Sequence, residues 1–395
     1  MRNIRQYAAG VLALAVAFGA GATMAAAQEK IKIGIVGQFS GPFALSGKQF
    51  RQGIEVFQAL NGTKAGGREI ELVYRDVGGP NPANAKRQAE ELIVREKASI
   101  LAGFYLSPDA FAAVSVLNET KTPGVIFVAA SPPILKQSAY FVRVTSTAWQ
   151  TGYPAAEWAI KQNKKRAYIV VSDFAPGHDS QVAFKTRFTA LGGTVLGEDR
   201  MALNTVDYAP FVERIANAKP DVVHVFIPNG APAVNFIKAL AARELLKTIT
   251  FIGVGESDDP DLPSLGESSL GYHSTLYYTA TLKNDENKQF VAKLAEKFPG
   301  EISNFAMVAA FDGMRVMYRM IESQKGKPFD GTAALEAVKG FTWKSPRGTV
   351  TIDPATRNII QDIHIRKVVK ANGKLVNEVV DTFPAVKDPW SELNK

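Results

Sequence analysis

Hydroxyls, small residues and aromatic rings recur in this chain at one kind of place, the short loops that follow apolar runs. They stand at Phe39-Ser40, Phe104-Tyr105-Leu106-Ser107, Ala129-Ala130-Ser131, Asp173-Phe174, Asn229-Gly230, Glu256-Ser257 and Tyr277-Tyr278. Small residues let backbone N–H groups come close to a ligand. A Ser at a helix start adds an O–H beside free amides and the positive end of the helix dipole. That combination holds a carboxylate without Arg or Lys. The rings supply apolar walls. The plainer alternative is that Ser107, followed by Pro108, caps a helix and that the rings only pack.

Other chemistries find little support. The chain has 4 His and no Cys. The His are scattered, so a zinc site is not expected. His178, in the stretch Ala175 to Ser180, could face a cleft; His224 and His364 read as structural. No G-x-S-x-G occurs, and no acid–base–nucleophile set assembles. Gly34 and Gly37 are spaced GxxG rather than GxGxxG, which does not suit a dinucleotide. No cofactor, metal or catalysis is expected.

These loops need strands and helices to hold them. Ile31 to Phe57 shows the unit: an apolar run, a break at Gly37 to Gly47, then Phe50, Ile54 and Phe57 at helical spacing. The unit recurs along the chain. Apolar runs fall at 100–103, 125–128, 141–144, 167–171, 222–227 and 249–252, and helical patterns separate them. Such alternation predicts parallel sheets flanked by helices. It occurs in two blocks, with a helix from Thr147 to Gln162 between them. A second helix is expected over 304–323, and a hairpin over 348–369 turning at Pro354 to Asn358. The fold class is α/β with two lobes: 28–147 plus 280–350, and 148–279 plus 351–395. Several crossings between the lobes would form a hinge, with the ligand cleft between them.

Residues 1–27 read as a secretory signal peptide. Arg2 and Arg5 precede an apolar, Ala-rich stretch, and Ala25-Ala26-Ala27 offers a cleavage site. The periplasm is the expected location. No Cys is available for a lipid, so no membrane anchor is expected in the mature chain. Net charge is +8, with the basic residues dispersed. Lys161, Lys164, Lys165 and Arg166 read as a solvated turn, not a nucleic-acid surface.

The order and spacing of several motifs resemble the periplasmic leucine/isoleucine/valine-binding protein family, the type I solute receptors of ABC importers. They are IKIGIVGQFSGPFALSGKQFRQGIEVF at 31–57, the Gly103 to Ser107 loop, the Ala129 to Pro132 loop, RVTSTAWQTG at 143–152, SDFAPGHDS at 172–180 and F-I-G at 251–253. The likeness spans nearly all of the mature chain. It implies a type I periplasmic binding protein fold, and a receptor that delivers a small carboxylate to a membrane permease. It also implies that Ser107, Ser131 and the Ala130 backbone bind the carboxylate, and that Glu256 lies near an α-ammonium in amino-acid binders. Here Glu256 follows Gly253-Val254-Gly255, and Ala175-Pro176 stands where amino-acid binders carry a Tyr. The APGHD loop resembles relatives that take up aromatic acids. The ligand is therefore expected to be a branched-chain amino acid or an aromatic acid. Phe39, Ser40, Tyr105, Phe174, His178, Asn229 and Tyr278 complete the candidate set. A ligand sensor of the same fold is the alternative function.

Overall fold

A computed structural model describes residues 30–394. The signal peptide expected over 1–27 lies outside the described residues. The first sheet contains β1 (Ile31–Gly37), β2 (Lys64–Ala65), β3 (Arg68–Asp76), β4 (Ile100–Gly103), β5 (Gly124–Ile126) and β6 (Phe141–Arg143). Its order is β2-β3-β1-β4-β5-β6. Every neighbour is parallel except β2 with β3. Helices cover both faces, which is why the strands read as continuous apolar runs. Ile33, Ile35 and Val36 are fully buried.

The second sheet contains β7 (Arg166–Ser172), β8 (Thr194–Met201), β9 (Val222–Phe226), β10 (Thr250–Gly253) and β11 (His273–Leu276), all parallel to their neighbours. It continues through antiparallel strands from the end of the chain: β12 (Thr342–Ser345), β13 (Gly348–Ile352), β14 (Ile359–Ala371) and β15 (Lys374–Val386). The architecture is thus two helix-flanked sheets, each with a parallel section as the alternation predicts, the second extended by antiparallel strands.

The cores explain how the halves join. Ile33, Phe50, Phe57 and Phe127 share a cluster with Met314 and Met317 of the helix Phe305–Glu322. That helix crosses the helix Ala44–Asn61 so closely that a Cβ on Gly53 would collide with the carbonyl oxygen of Met307. Val170, Val225 and Phe236 lie in the second sheet's core. Strand β14 belongs to both. Ile359 and Ile363 pack in the first core, and Ile365 and Val368 in the clusters around the second sheet.

Local details depart from the sequence expectations. The helix after β4 starts at Ser107 itself, with Leu106 as its N-cap and no side-chain cap bond. The hydroxyl of Ser107 is therefore not consumed in capping. Thr147 does cap the helix Ala148–Lys161, through a capping box with Gln150. Strands β12 and β15 were not anticipated.

Candidate functional site

A cavity of about 620 Å³, open solvent at its mouth included, lies between the two sheets at the carboxyl ends of their parallel strands. That is where ligands bind in open α/β sheets. The first sheet contributes Tyr105, Leu106 and Ser107 after β4, Val128 and Ala130 after β5, and Thr145 to Thr147 after β6. The second contributes Phe174 after β7, Phe226 to Asn229 at the end of β9, Val254 and Gly255 after β10, and Tyr277 after β11.

Among the described residues, no Asp, Glu, Lys, Arg or His lines this cavity. Its polarity comes from hydroxyls, amides and helix ends. The helices Ser107–Thr120 and Ala148–Lys161 begin at lining residues, and Pro176 lies in the first turn of the helix Ala175–Ala190. Three positive helix termini thus converge, a setting that favours an anion.

Ser107 is 1% exposed. Its Oγ accepts the Ser131 backbone N–H at 3.2 Å. With one lone pair engaged and no cap to make, its proton is available to the cavity. Four other lining hydroxyls are committed elsewhere. Thr145 donates to the Tyr277 hydroxyl at 3.2 Å, and Tyr277 donates to the Phe305 carbonyl at 3.1 Å. Thr151 donates to the Ala148 carbonyl at 3.1 Å, and Thr147 to Asp388 at 2.8 Å. Behind Tyr277, Arg347 lies 4.3 Å over the ring and pairs with buried Asp312 at 2.6 Å. Burial raises the Tyr105 phenol well above its ordinary pKa, although the backbone of Asn229, from the other sheet, hydrogen-bonds its oxygen.

Of the candidate set, Tyr105, Ser107, Ala130, Phe174 and Asn229 line the cavity. The others do not. Asp76 at the end of β3 accepts the amides of Phe39, Ser40 and Gly78 at 2.8, 3.3 and 2.9 Å. This draws the first loop outward, and Phe39 packs edge-on to Tyr74 at 5.5 Å. Ser131 is buried behind the lining, and its hydroxyl donates to Asp179. His178 bonds Asp173 at 2.6 Å, on a partly exposed surface. Tyr278 points into the first core, where its hydroxyl meets Asn287 and Ser303 at 2.7 and 2.8 Å. Its neighbour Tyr277 takes the cavity position.

Glu256 is buried beneath its loop. Its carboxylate accepts the amides of Ile227 and Val254 at 2.7 and 2.5 Å. Burial pushes its pKa up to about 7, against those hydrogen bonds. It is not placed to meet an ammonium in the cavity. Thr145, Ser146, Thr147 and Thr151 line the cavity without belonging to the candidate set. Their signal was the hydroxyl-rich TST before a helix start.

The chain matches the family described as periplasmic binding protein over residues 30–374. A protein of Brucella melitensis named Leu/Ile/Val-binding protein homolog 6 is 42% identical over 373 residues, 93% of this chain and 95% of the relative. An ABC transporter solute-binding protein of Rhodopseudomonas palustris HaA2, solved with p-hydroxybenzoic acid, superposes with a TM-score of 0.89 at 42% identity, covering 92% of this chain and 99% of the other. A second, from Rhodopseudomonas palustris BisB5 and solved with 3,4-dihydroxybenzoic acid, gives 0.88 at 38% identity, covering 92% and 99%.

Proposed function

Because this chain belongs to the periplasmic binding protein family, we propose that it is a solute receptor of an ABC importer that captures a small aromatic carboxylate of the hydroxybenzoate class. The observation that carries the reading is the cavity's lack of any charged side chain. A carboxylate meets the free proton of Ser107, the backbone amide of Ala130 and three helix termini. An α-ammonium would meet no acid, and an unpaired buried charge is very costly. Phe174 and Phe226 offer flat apolar walls for a ring. The relatives solved with benzoic acid derivatives support the same ligand class.

The cleft lies between two lobes that close on the ligand, and the closed form is what a permease would recognise. The expected lobes are 28–147 plus 280–350, and 148–279 plus 351–395. The packing of Ile352, Ile359 and Ile363 in the first core favours a last boundary inside β14. Export by the signal peptide at 1–27 delivers the receptor to the periplasm, where it binds without turnover. Titration calorimetry with 4-hydroxybenzoate, benzoate, leucine and valine tests the reading. Binding of the benzoates alone supports it, and binding of leucine or valine alone overturns it.

A further inference from the structure

Ser131 stands one residue beyond the cavity lining, and both of its ends are held. Its carbonyl accepts from buried Arg143 Nη2 at 2.5 Å. Its hydroxyl donates to the carboxylate of Asp179. Asp179 belongs to the helix Ala175–Ala190, which packs on the second sheet: the next residue, Ser180, is bonded to His224 of β9 at 2.8 Å. The Ser131–Asp179 bond therefore crosses the cleft. The backbone N–H of the same Ser131 is the group that fixes Ser107 Oγ. Asp179, Ser131 and Ser107 form a continuous line from one lobe to the anion-binding end of the cavity.

We infer that Asp179 is a positioning residue that makes the Ser107 anion site complete only when the lobes are shut. The inference rests on the carboxylate-capture reading above. Asp179 does not line the cavity and touches no ligand itself. It acts by holding the Ser131 hydroxyl, so that the Ser131 N–H stays aimed at Ser107 and the Ser107 proton stays aimed at the cavity. When the lobes part, the loop keeps its Arg143 tether but loses the Asp179 one. A bound carboxylate then faces a loosened donor and leaves. The groups that face Asp179 fit this role. Burial raises its pKa, the Ser131 hydroxyl and Arg143 favour its charged form, Asp388 opposes it, and His178 on its own helix adds a weaker favourable influence. The Arg143 charge acts on Asp388 first and on Asp179 second.

The chain contains no Cys, so a Ser131→Cys/Asp179→Cys variant carries one pair of thiols. Under mild oxidation this pair is expected to close within a single chain, and faster with saturating 4-hydroxybenzoate. The oxidised protein should release the bound acid at least ~10-fold more slowly, since one unit in log rate corresponds to about 1.4 kcal/mol. Thiols that stay free at saturating ligand overturn the inference. Separately, Asp179→Ala should weaken 4-hydroxybenzoate binding about tenfold, mainly through faster dissociation. Asp179→Asn, whose amide oxygen still accepts from Ser131, should keep most of the affinity. Adding Ser131→Ala to Asp179→Ala should cost nothing further, because both remove one link. Equal binding by Asp179→Ala and the parent, or additive losses, overturns the inference. A parent protein that binds no aromatic acid defeats the capture reading instead, and the thiol pair then still decides whether the cross-cleft contact forms.

Discussion

Glu256 and Ile227 are joined by a 2.7 Å hydrogen bond from the Ile227 amide to the buried carboxylate. The second oxygen takes the Val254 amide at 2.5 Å. One side chain thereby ties the end of β9 to the end of β10, just where both strands release their loops into the cavity. Its work is to hold those loops, with its charge turned away from the ligand.

Replacing Glu256 by Gln puts an NH2 group against one of two backbone donors. An unsatisfied buried group costs about 1–3 kcal/mol. Glu256→Gln should therefore lower the melting temperature by several degrees. It should not confer or abolish leucine binding in calorimetry, whereas an ammonium partner would.

Ser107→Ala removes a lining hydroxyl whose proton is free, and it also strands the Ser131 amide. Hydrogen bonds to charged groups are worth about 1.5–3 kcal/mol. The affinity for 4-hydroxybenzoate should fall tenfold or more. An unchanged dissociation constant would mean the carboxylate sits elsewhere.

Phe174→Leu keeps the apolar wall and removes a ring. Aromatic pairs contribute about 0.5–1.5 kcal/mol beyond area burial. The variant should lose about that much for 4-hydroxybenzoate, read by isothermal titration. A flat, non-aromatic acid such as sorbate should show a smaller loss.

The stability contributed by the Asp109 carboxyl should fall as pH rises from 5 to 8. Burial pushes the Asp109 carboxyl up to about 7, against its 2.5 Å hydrogen bond from Gln38. Between the ordinary carboxylate range and pH 7 the folded chain then holds a proton that the unfolded chain has released. That stabilises the fold at low pH, and the gain is lost as pH passes 7. Glu256, at about 7, and Asp261, at about 6, act in the same direction, again through burial. Urea unfolding at several pH values should show the decline. Asp109→Asn should flatten it, and an equal slope in that variant would exclude Asp109 as a source.

The strands were legible because parallel strands buried on both faces read as apolar runs, as in Ile31–Gly37 and Val222–Phe226. The loops after them were equally visible. Which loop residue faces the cavity was not, because that depends on partners far away in sequence. Asp76 pulls Phe39 outward, and Asp179 takes the Ser131 hydroxyl. One neighbour of the pair Tyr277-Tyr278 turns inward and the other turns to the core, an alternation whose phase sequence alone does not set. Strand β15 did have a local signal. Asn372 and Gly373 both take positive φ, 50° and 77°, between two strands, and Asn-Gly in that setting marks a tight hairpin.

Strand β14 supplies side chains to the cores of both halves. The two halves therefore share one hydrogen-bonded strand. Sliding of one half past the other would break the pairing of this strand with β11 and β15. Neither half can melt without stripping residues from the other, so heating should produce one cooperative calorimetric peak and not two.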